Sequence, residues 1–343
     1  MDAVDALNEI AFWLERELAP AFKVAAFRKA AGIIRDLPVA EVAERARTKR
    51  LTSLKGIGGR SAEVIGQAVD GAVPDYLENL RRTGADPLAA GGSDLLAALR
   101  GDLHTHTDWS DGTTSLDLMV ATATRLGREY LAITDHSPNL TIAHGLTAAR
   151  LTDQLDLIEA INARHTHSAP GVRVLAGIEV DILENGELDQ EPELLDRLDI
   201  VVASVHSKLR ADSLSMTRRM LAGIRDPHTN VLGHCTGRLV SGTRGVRPPS
   251  DFDAARVFAA CAENNVAVEI NCRPERKDPP DDLIRLALDA GCLFSIDTDS
   301  HAPGHLDFLS YGAERATANG VPADRVITTW PVDRLLDWAT AAH

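Results

Sequence analysis

His104 and His106 stand one residue apart in "GDLHTHTDWSDG", and Asp111 follows on the next turn. Side chains alternate along an extended chain, so the two imidazoles share a face. The same residue types recur further on: His136 in "TDH", Glu179 in "GIEVD", His206 in "SVH", His234 in "GH", and Asp299 with His301 in "DTDSH". Neutral imidazoles with carboxylates are the ligand set for Zn, Mn or Fe. Nine such groups are too many for one ion and suit two or three divalent ions. A carboxylate can bridge two cations about 3.5 Å apart, and such a pair clamps a phosphate. The cations neutralise charge developing on phosphoryl oxygens and activate water as the nucleophile. The expected chemistry is hydrolysis of phosphate esters.

These residues need a scaffold that brings them to one place. Most of them close a short apolar run. The runs are "GDLH", "YLAIT", "VRVLAGIEV", "LDIVVASVH", "NVLGH", "VAVEIN" and "CLFSID", and amphipathic segments of helical length separate most of them. About seven strands alternating with helices predict an α/β fold with a parallel barrel. Such barrels carry their chemistry at the C-terminal ends of the strands. Asp135 and Asp297, beside ligand positions, are expected to orient a histidine or the backbone. His144, His165, His167, His228 and His343 fall in helices, loops or the tail and read as surface residues. His305 is near enough in sequence to touch substrate.

Residues 1–82 have a different rhythm. "ALNEIAFWLERELA" and "AFKVAAFRKAAGIIRDL" space their apolar residues as helices do. "LTSLKGIGGRSAEVIGQAVDG" then predicts a glycine turn and a helix starting near Ser61. Gly56, Gly58 and Gly59, flanked by Lys55 and Arg60, would let backbone amides approach a phosphate closely. Between Phe22 and Arg60 ten basic residues face three acidic ones, which suits a nucleic-acid backbone. A small helical docking domain would show the same turn. Residues 83–98, "TGADPLAAGGSDLLAA", read as a linker. The expected layout is 1–82, a linker 83–98, and 99–343.

The net charge of the 343-residue chain is −14, all of it beyond residue 90. That acidity suits a multi-cation site and equally a solvated surface. No apolar run is long enough to span a bilayer, and "MDAVDALNEI" lacks the features of a signal peptide, so the expectation is a cytoplasmic protein without membrane contact. Cys235, Cys261, Cys272 and Cys292 form no CxxC pair and read as reduced thiols.

The motifs also carry a resemblance. "HTHTDWSDG", "TDHS", "GIEVDI", "ASVHS", "GHCTGR", "EINCRPER" and "DTDSHAPGHLDFLSYG" resemble the PHP (polymerase and histidinol phosphatase) family, above all the C-terminal PHP domain of bacterial family X DNA polymerases. "FKVAAFRKAAGII" and "LKGIGGRSAEVI" resemble the helix-hairpin-helix domain that opens those polymerases. The resemblance implies a PHP-type (β/α)7 distorted TIM barrel behind a small all-helical domain. It implies three metal sites: His104, His106, Glu179 and Asp299 on one ion; Glu179 shared with His206 and His234 on a second; Asp111, His136 and His301 on a third. Glu179, Asp299 and His301 would be catalytic, with His301 or a water on the third ion protonating the leaving oxygen. Arg238 and Arg273 would either hold a second phosphate in a fork or stand as surface ion pairs.

By the same resemblance the substrate is a DNA end, cut as a 3′-5′ exonuclease or 3′-end processing enzyme in DNA repair, with DNA held by the N-terminal domain. There are departures. No polymerase palm separates the two regions, so polymerase activity is not expected. Val64 stands where DNA polymerase beta has a lysine nucleophile, which puts lyase chemistry in doubt. Cys235 replaces an expected proline and is not expected to bind metal. A small-molecule phosphatase of the histidinol phosphate kind would explain the barrel alone. A non-enzymatic DNA-binding adaptor would explain the N-terminal region alone.

Overall fold

The computed structural model describes residues 1–168, 171–242 and 245–341, without the side chains of 165–168. The side chains of His165 and His167, and all of His343, lie outside the described residues. Internal contacts divide the chain into Met1–Pro87 and Leu88–His343.

The first unit holds five helices: α1 (Ala3–Arg16), α2 (Ala21–Arg35), α3 (Val39–Arg47), α4 (Gly59–Val69) and α5 (Asp75–Thr83). Asp2 starts α1 by accepting from the amides of Val4 (2.8 Å) and Asp5 (3.0 Å). The helical spacing of apolar residues buries Leu7 and Ile10 of α1 against Phe27 of α2, Ile65 of α4 and Leu77 of α5. Arg28 of α2 closes on Glu15 of α1 at 2.8 Å, so part of the basic excess is spent inside the unit. Gly56 has φ +111°, and a Cβ there would stand 2.6 Å from Lys29 Cε. Helix α4 begins two residues before its expected start. No side chain caps it, and Gly58 and Gly59 are exposed with open space around them.

The second unit begins inside the expected linker. Gly92, at φ +76°, leads into α6 (Ser93–Ala98), and Leu95 is buried. The amides of Ala90 and Gly91 donate to Glu314 at 3.0 and 3.1 Å. The Gly-Gly pair, which marks a loop in sequence, here allows close approach: a Cβ on Gly92 would lie 2.5 Å from the backbone of Ala313.

Seven strands follow: β1 (Gly101–Asp102), β2 (Tyr130–Ile133), β3 (Arg173–Asp181), β4 (Ile200–Ser204), β5 (Val231–Leu232), β6 (Ala267–Asn271) and β7 (Phe294–Asp297). They pair in parallel in chain order. A bridge between Thr105 and Ser300 joins the ends of β1 and β7 and nearly closes the barrel. Alternation does the sorting. On β3, Ile178 and Val180 join the core that packs under the helices, while Glu179 between them turns inward. On β6, Val268 and Ile270 flank Glu269 in the same way. Leu103, Tyr130, Leu175 and Val202 fill the base of the barrel, which Trp330, Leu335 and Trp338 close. No helix among the described residues is long and apolar enough to cross a membrane.

Candidate metal centre

All nine expected groups meet at the C-terminal strand ends, and Glu179 is their centre. Its two carboxylate oxygens lie 3.2 Å from His104 Nε2, 3.5 Å from His106 Nε2, 2.9 Å from His136 Nδ1, 3.1 Å from His206 Nε2 and 2.8 Å from His234 Nε2. Asp299 Oδ1 is 3.5 Å from His106 Nε2. Asp111 Oδ1 is 3.5 Å from His136 Nε2 and 3.3 Å from His301 Nε2. The grouping is less divided than expected. His106 also gathers with Asp111, His136 and His301, and His136 also gathers with Glu179 and His206.

The residues fit divalent ions. Both oxygens of Glu179 and ring nitrogens of His104, His106, His206 and His234 are buried without a hydrogen-bond partner. Two oxygens cannot accept well-directed hydrogen bonds from five rings at once. Ligand atoms about 2.1 Å from a tetrahedral ion stand roughly 3.4 Å apart, close to the spacings around Glu179.

Without metal the charges settle each other. Burial works against the Glu179 carboxylate, but His104, His206 and His136 hold it well below the usual range. Burial also opposes charge on His206, yet Glu179 and Asp181 outweigh it and push the ring up to about 9. Burial, aided by His301 and His136, drives His106 down to about 3.

The residues around the cluster fix its orientation. Asp135 accepts from Thr107 N (2.8 Å), Thr107 Oγ1 (2.6 Å) and Gln154 Nε2 (2.7 Å), which secures the segment leading to Asp111. Asp297 accepts from Leu103 N (2.8 Å). Three further residues belong here that motif reading did not single out. Glu269 lies 2.6 Å from His104 Nδ1 and accepts from His234 N. Arg276, buried, stands 2.9 Å from Asp299 Oδ2. Asp181 accepts from His206 N at 3.1 Å. Glu269 and Asp181 did carry a signal, since each is a carboxylate within or closing an apolar strand. Arg276 sits in a loop, and its signal was its place at the end of the motif "EINCRPER".

Arg238 and Arg273, read either as a phosphate fork or as surface ion pairs, line one cavity but have different partners. Arg273 Nη1 is 2.9 Å from His301 Nδ1, and its Nε donates to Glu275 at 2.7 Å. Arg238 turns away: its guanidinium donates to the carbonyls of Arg276 (3.2 Å) and Lys277. The Asp278 carboxylate accepts from Arg238 N at 3.2 Å and from Thr236 N at 3.1 Å, and so holds the backbone of that turn. His305 Nδ1 accepts from His301 N at 3.3 Å. His144 is exposed, and His228 lies between Asp226 and Asp196. In the first unit Lys55 is exposed and Arg60 pairs with Glu63 at 2.8 Å. All four cysteines are buried and free.

The barrel and the imidazoles and carboxylates gathered at its mouth define the class: a parallel β/α barrel with a candidate site for divalent metal ions. Within that class the chain belongs to the PHP family, whose domain matches residues 102–273, half of the sequence. A helix-hairpin-helix domain matches residues 1–72. The chain is 35% identical over 221 residues to the DNA polymerase/3′-5′ exonuclease PolX of Bacillus subtilis (strain 168). That match covers 64% of this chain but only 37% of the relative's length. Among solved structures, the histidinol phosphate phosphatase of Lactococcus lactis, determined with zinc, L-histidinol and phosphate, aligns with a TM-score of 0.48 at 19% identity. The alignment covers 65% of this chain and 94% of that one.

Proposed function

We propose that this protein hydrolyses phosphodiesters at DNA ends, as a 3′-5′ exonuclease or 3′-end processing enzyme, with two or three Mn, Zn or Fe ions. The observation that carries the reading is Glu179 ringed by five imidazole nitrogens, in a chain that also bears a helix-hairpin-helix domain. The similarity to a polymerase/exonuclease supports the choice of DNA. His104, His106, Asp111, His136, Glu179, His206, His234, Asp299 and His301 would hold the ions. Once bound, the ions supply Lewis acidity and an activated water.

The chain's own residues do the rest. Glu179 sets the spacing of the cluster, and Asp299 is fixed between His106 and Arg276. The His301 side chain is 18% exposed against 13% for His206, and those of His104 and His106 are fully buried, so His301 is the most open of these rings. The leaving oxygen would take its proton from a water beside this ring, because a His301 that holds an ion through Nε2 and accepts from Arg273 at Nδ1 carries none. Arg273, beside the ring's Nδ1, would position the ring. Residues 1–82 would hold the strand, with Lys55, Gly56, Gly58, Gly59 and Arg60 at a backbone phosphate.

The test is to strip the full-length protein with EDTA, reload it with Mn²⁺, and assay labelled single-stranded DNA beside histidinol phosphate. Metal-dependent shortening of DNA from the 3′ end is expected. Hydrolysis of histidinol phosphate alone would make the protein a small-molecule phosphatase. DNA binding with neither reaction would make it an adaptor.

A further inference from the structure

A cavity of about 320 Å³ includes part of the cluster of imidazoles and carboxylates, and its apolar lining includes Leu140, Ile142, Val205 and Leu209. Ile142 is 88% exposed at this lip, next to Leu140 and Leu209 on the same cavity. The turn that carries it is nevertheless tied down. Asn139 Nδ2 donates to Asp181 Oδ2 at 3.0 Å, and Asn139 N donates to Asp189 at 2.6 Å. Leu146 N donates to the carbonyl of His136 at 2.7 Å. Asp181 also accepts from His206 N, so one carboxylate holds both the lip and an imidazole of the cluster.

Charge narrows the occupant. Among the described residues lining the cavity, the carboxylates are Asp111 and Asp299. Asp111 faces His136 and His301, and Asp299 faces His106 and Arg276. Neither is left over for an ammonium group, since Asp299 is matched by Arg276 and Asp111 by the two imidazoles. A phosphate ester whose organic part is cationic is therefore poorly served. A nucleobase is well served: it carries no positive charge, its faces are apolar, and the backbone joins it to the phosphate.

We propose that Ile142, with Leu140 and Leu209, forms the surface that receives the nucleobase adjoining the scissile phosphate, which makes Ile142 a specificity-determining residue. The inference rests on the reading of the site as a hydrolase of DNA ends. An aliphatic surface offers a base no donor or acceptor, so the lip would select for the presence of a base over its identity.

The experiment uses the full-length Mn²⁺-loaded protein, wild type and Ile142→Ser, on two single-stranded oligonucleotides. One ends in an ordinary 3′ nucleotide and the other in an abasic residue. The wild type should favour the ordinary end in kcat/KM by about tenfold, the weight of burying a branched aliphatic side chain against a base. Ile142→Ser should bring that ratio close to one, chiefly through KM, and Ile142→Phe should restore it. A wild type without preference, or a serine variant that keeps it, would overturn the proposal. If the wild type cleaves neither oligonucleotide with metal present, the reading of the site as a DNA hydrolase fails, and this proposal fails with it.

Discussion

His104 Nδ1 lies 2.6 Å from Glu269 Oε1, and both side chains are fully buried. The other oxygen of Glu269 accepts from His234 N. One carboxylate of β6 therefore orients groups at the ends of β1 and β5. With Nδ1–H donated to Glu269, the Nε2 lone pair of His104 points toward Glu179, 3.2 Å away. A metal-binding imidazole needs that tautomer.

Glu269→Gln should accordingly lower metal affinity by about 10- to 100-fold, the usual weight of a carboxylate behind a ligating histidine. Glu269→Ala should lower it further. Chelator competition and metal content of the purified variants measure this. An alanine variant with wild-type affinity would show that His104 keeps its orientation unaided.

Glu179→Gln should reduce turnover by about a hundred- to a thousandfold or more and lower bound metal, since five ring nitrogens face the carboxylate it alters. His228→Ala, which disturbs only the contacts with Asp226 and Asp196, should stay near the wild-type rate. The reverse pattern would displace Glu179 from the centre of the site.

Metal binding should strengthen as pH rises. The His206 ring, raised to about 9 without metal, keeps its proton below that pH and must lose it to bind an ion. Affinity should climb from pH 6.5 toward 9 as His206 and His104, both raised without metal, give up their protons, with proton release shrinking over the same range. Calorimetry in buffers of different ionisation enthalpy reads both. An affinity constant across that window would mean that His206 takes no part in binding.

Lys55→Glu combined with Arg60→Glu should weaken binding to single-stranded DNA and flatten the plot of log K against log salt by about one to two units. Metal-dependent hydrolysis of a small chromogenic phosphodiester should persist, since both residues lie outside the barrel unit. Unaltered affinity and slope at several salt concentrations would remove the turn from the DNA-binding surface.

Gly145→Ala should destabilise the protein by about 1–3 kcal/mol through overpacking. An added Cβ would stand 1.9 Å from the carbonyl oxygen of Ser137 and push the turn bearing Ile142 out of place. Thermal unfolding gives the magnitude. An unchanged midpoint would show that the turn relaxes freely.

Much of this protein is legible in its sequence because of how a parallel barrel is buried. Strands covered on both faces read as continuous apolar runs, so all seven can be seen. Period-two alternation and the chemistry of strand ends then assign His104, His106, His136, Glu179, His206, His234, Asp299 and His301 to one mouth of the barrel. What crosses the barrel cannot be read this way. Glu269 meets His104 across 165 residues, and no local pattern reports a contact between β1 and β6. Arg238 follows a ligand motif directly, yet its guanidinium donates to the carbonyls of Arg276 and Lys277, partners that no local pattern announces. The pairing of His106 and His136 with more than one group of ligands depends on loop paths that hydrophobic periodicity leaves unspecified. Local sequence sets which face a side chain takes, because strand geometry is short-range. Which buried charge meets which is decided only when distant strands close on one another, because each carboxylate taken out of water must find a partner there.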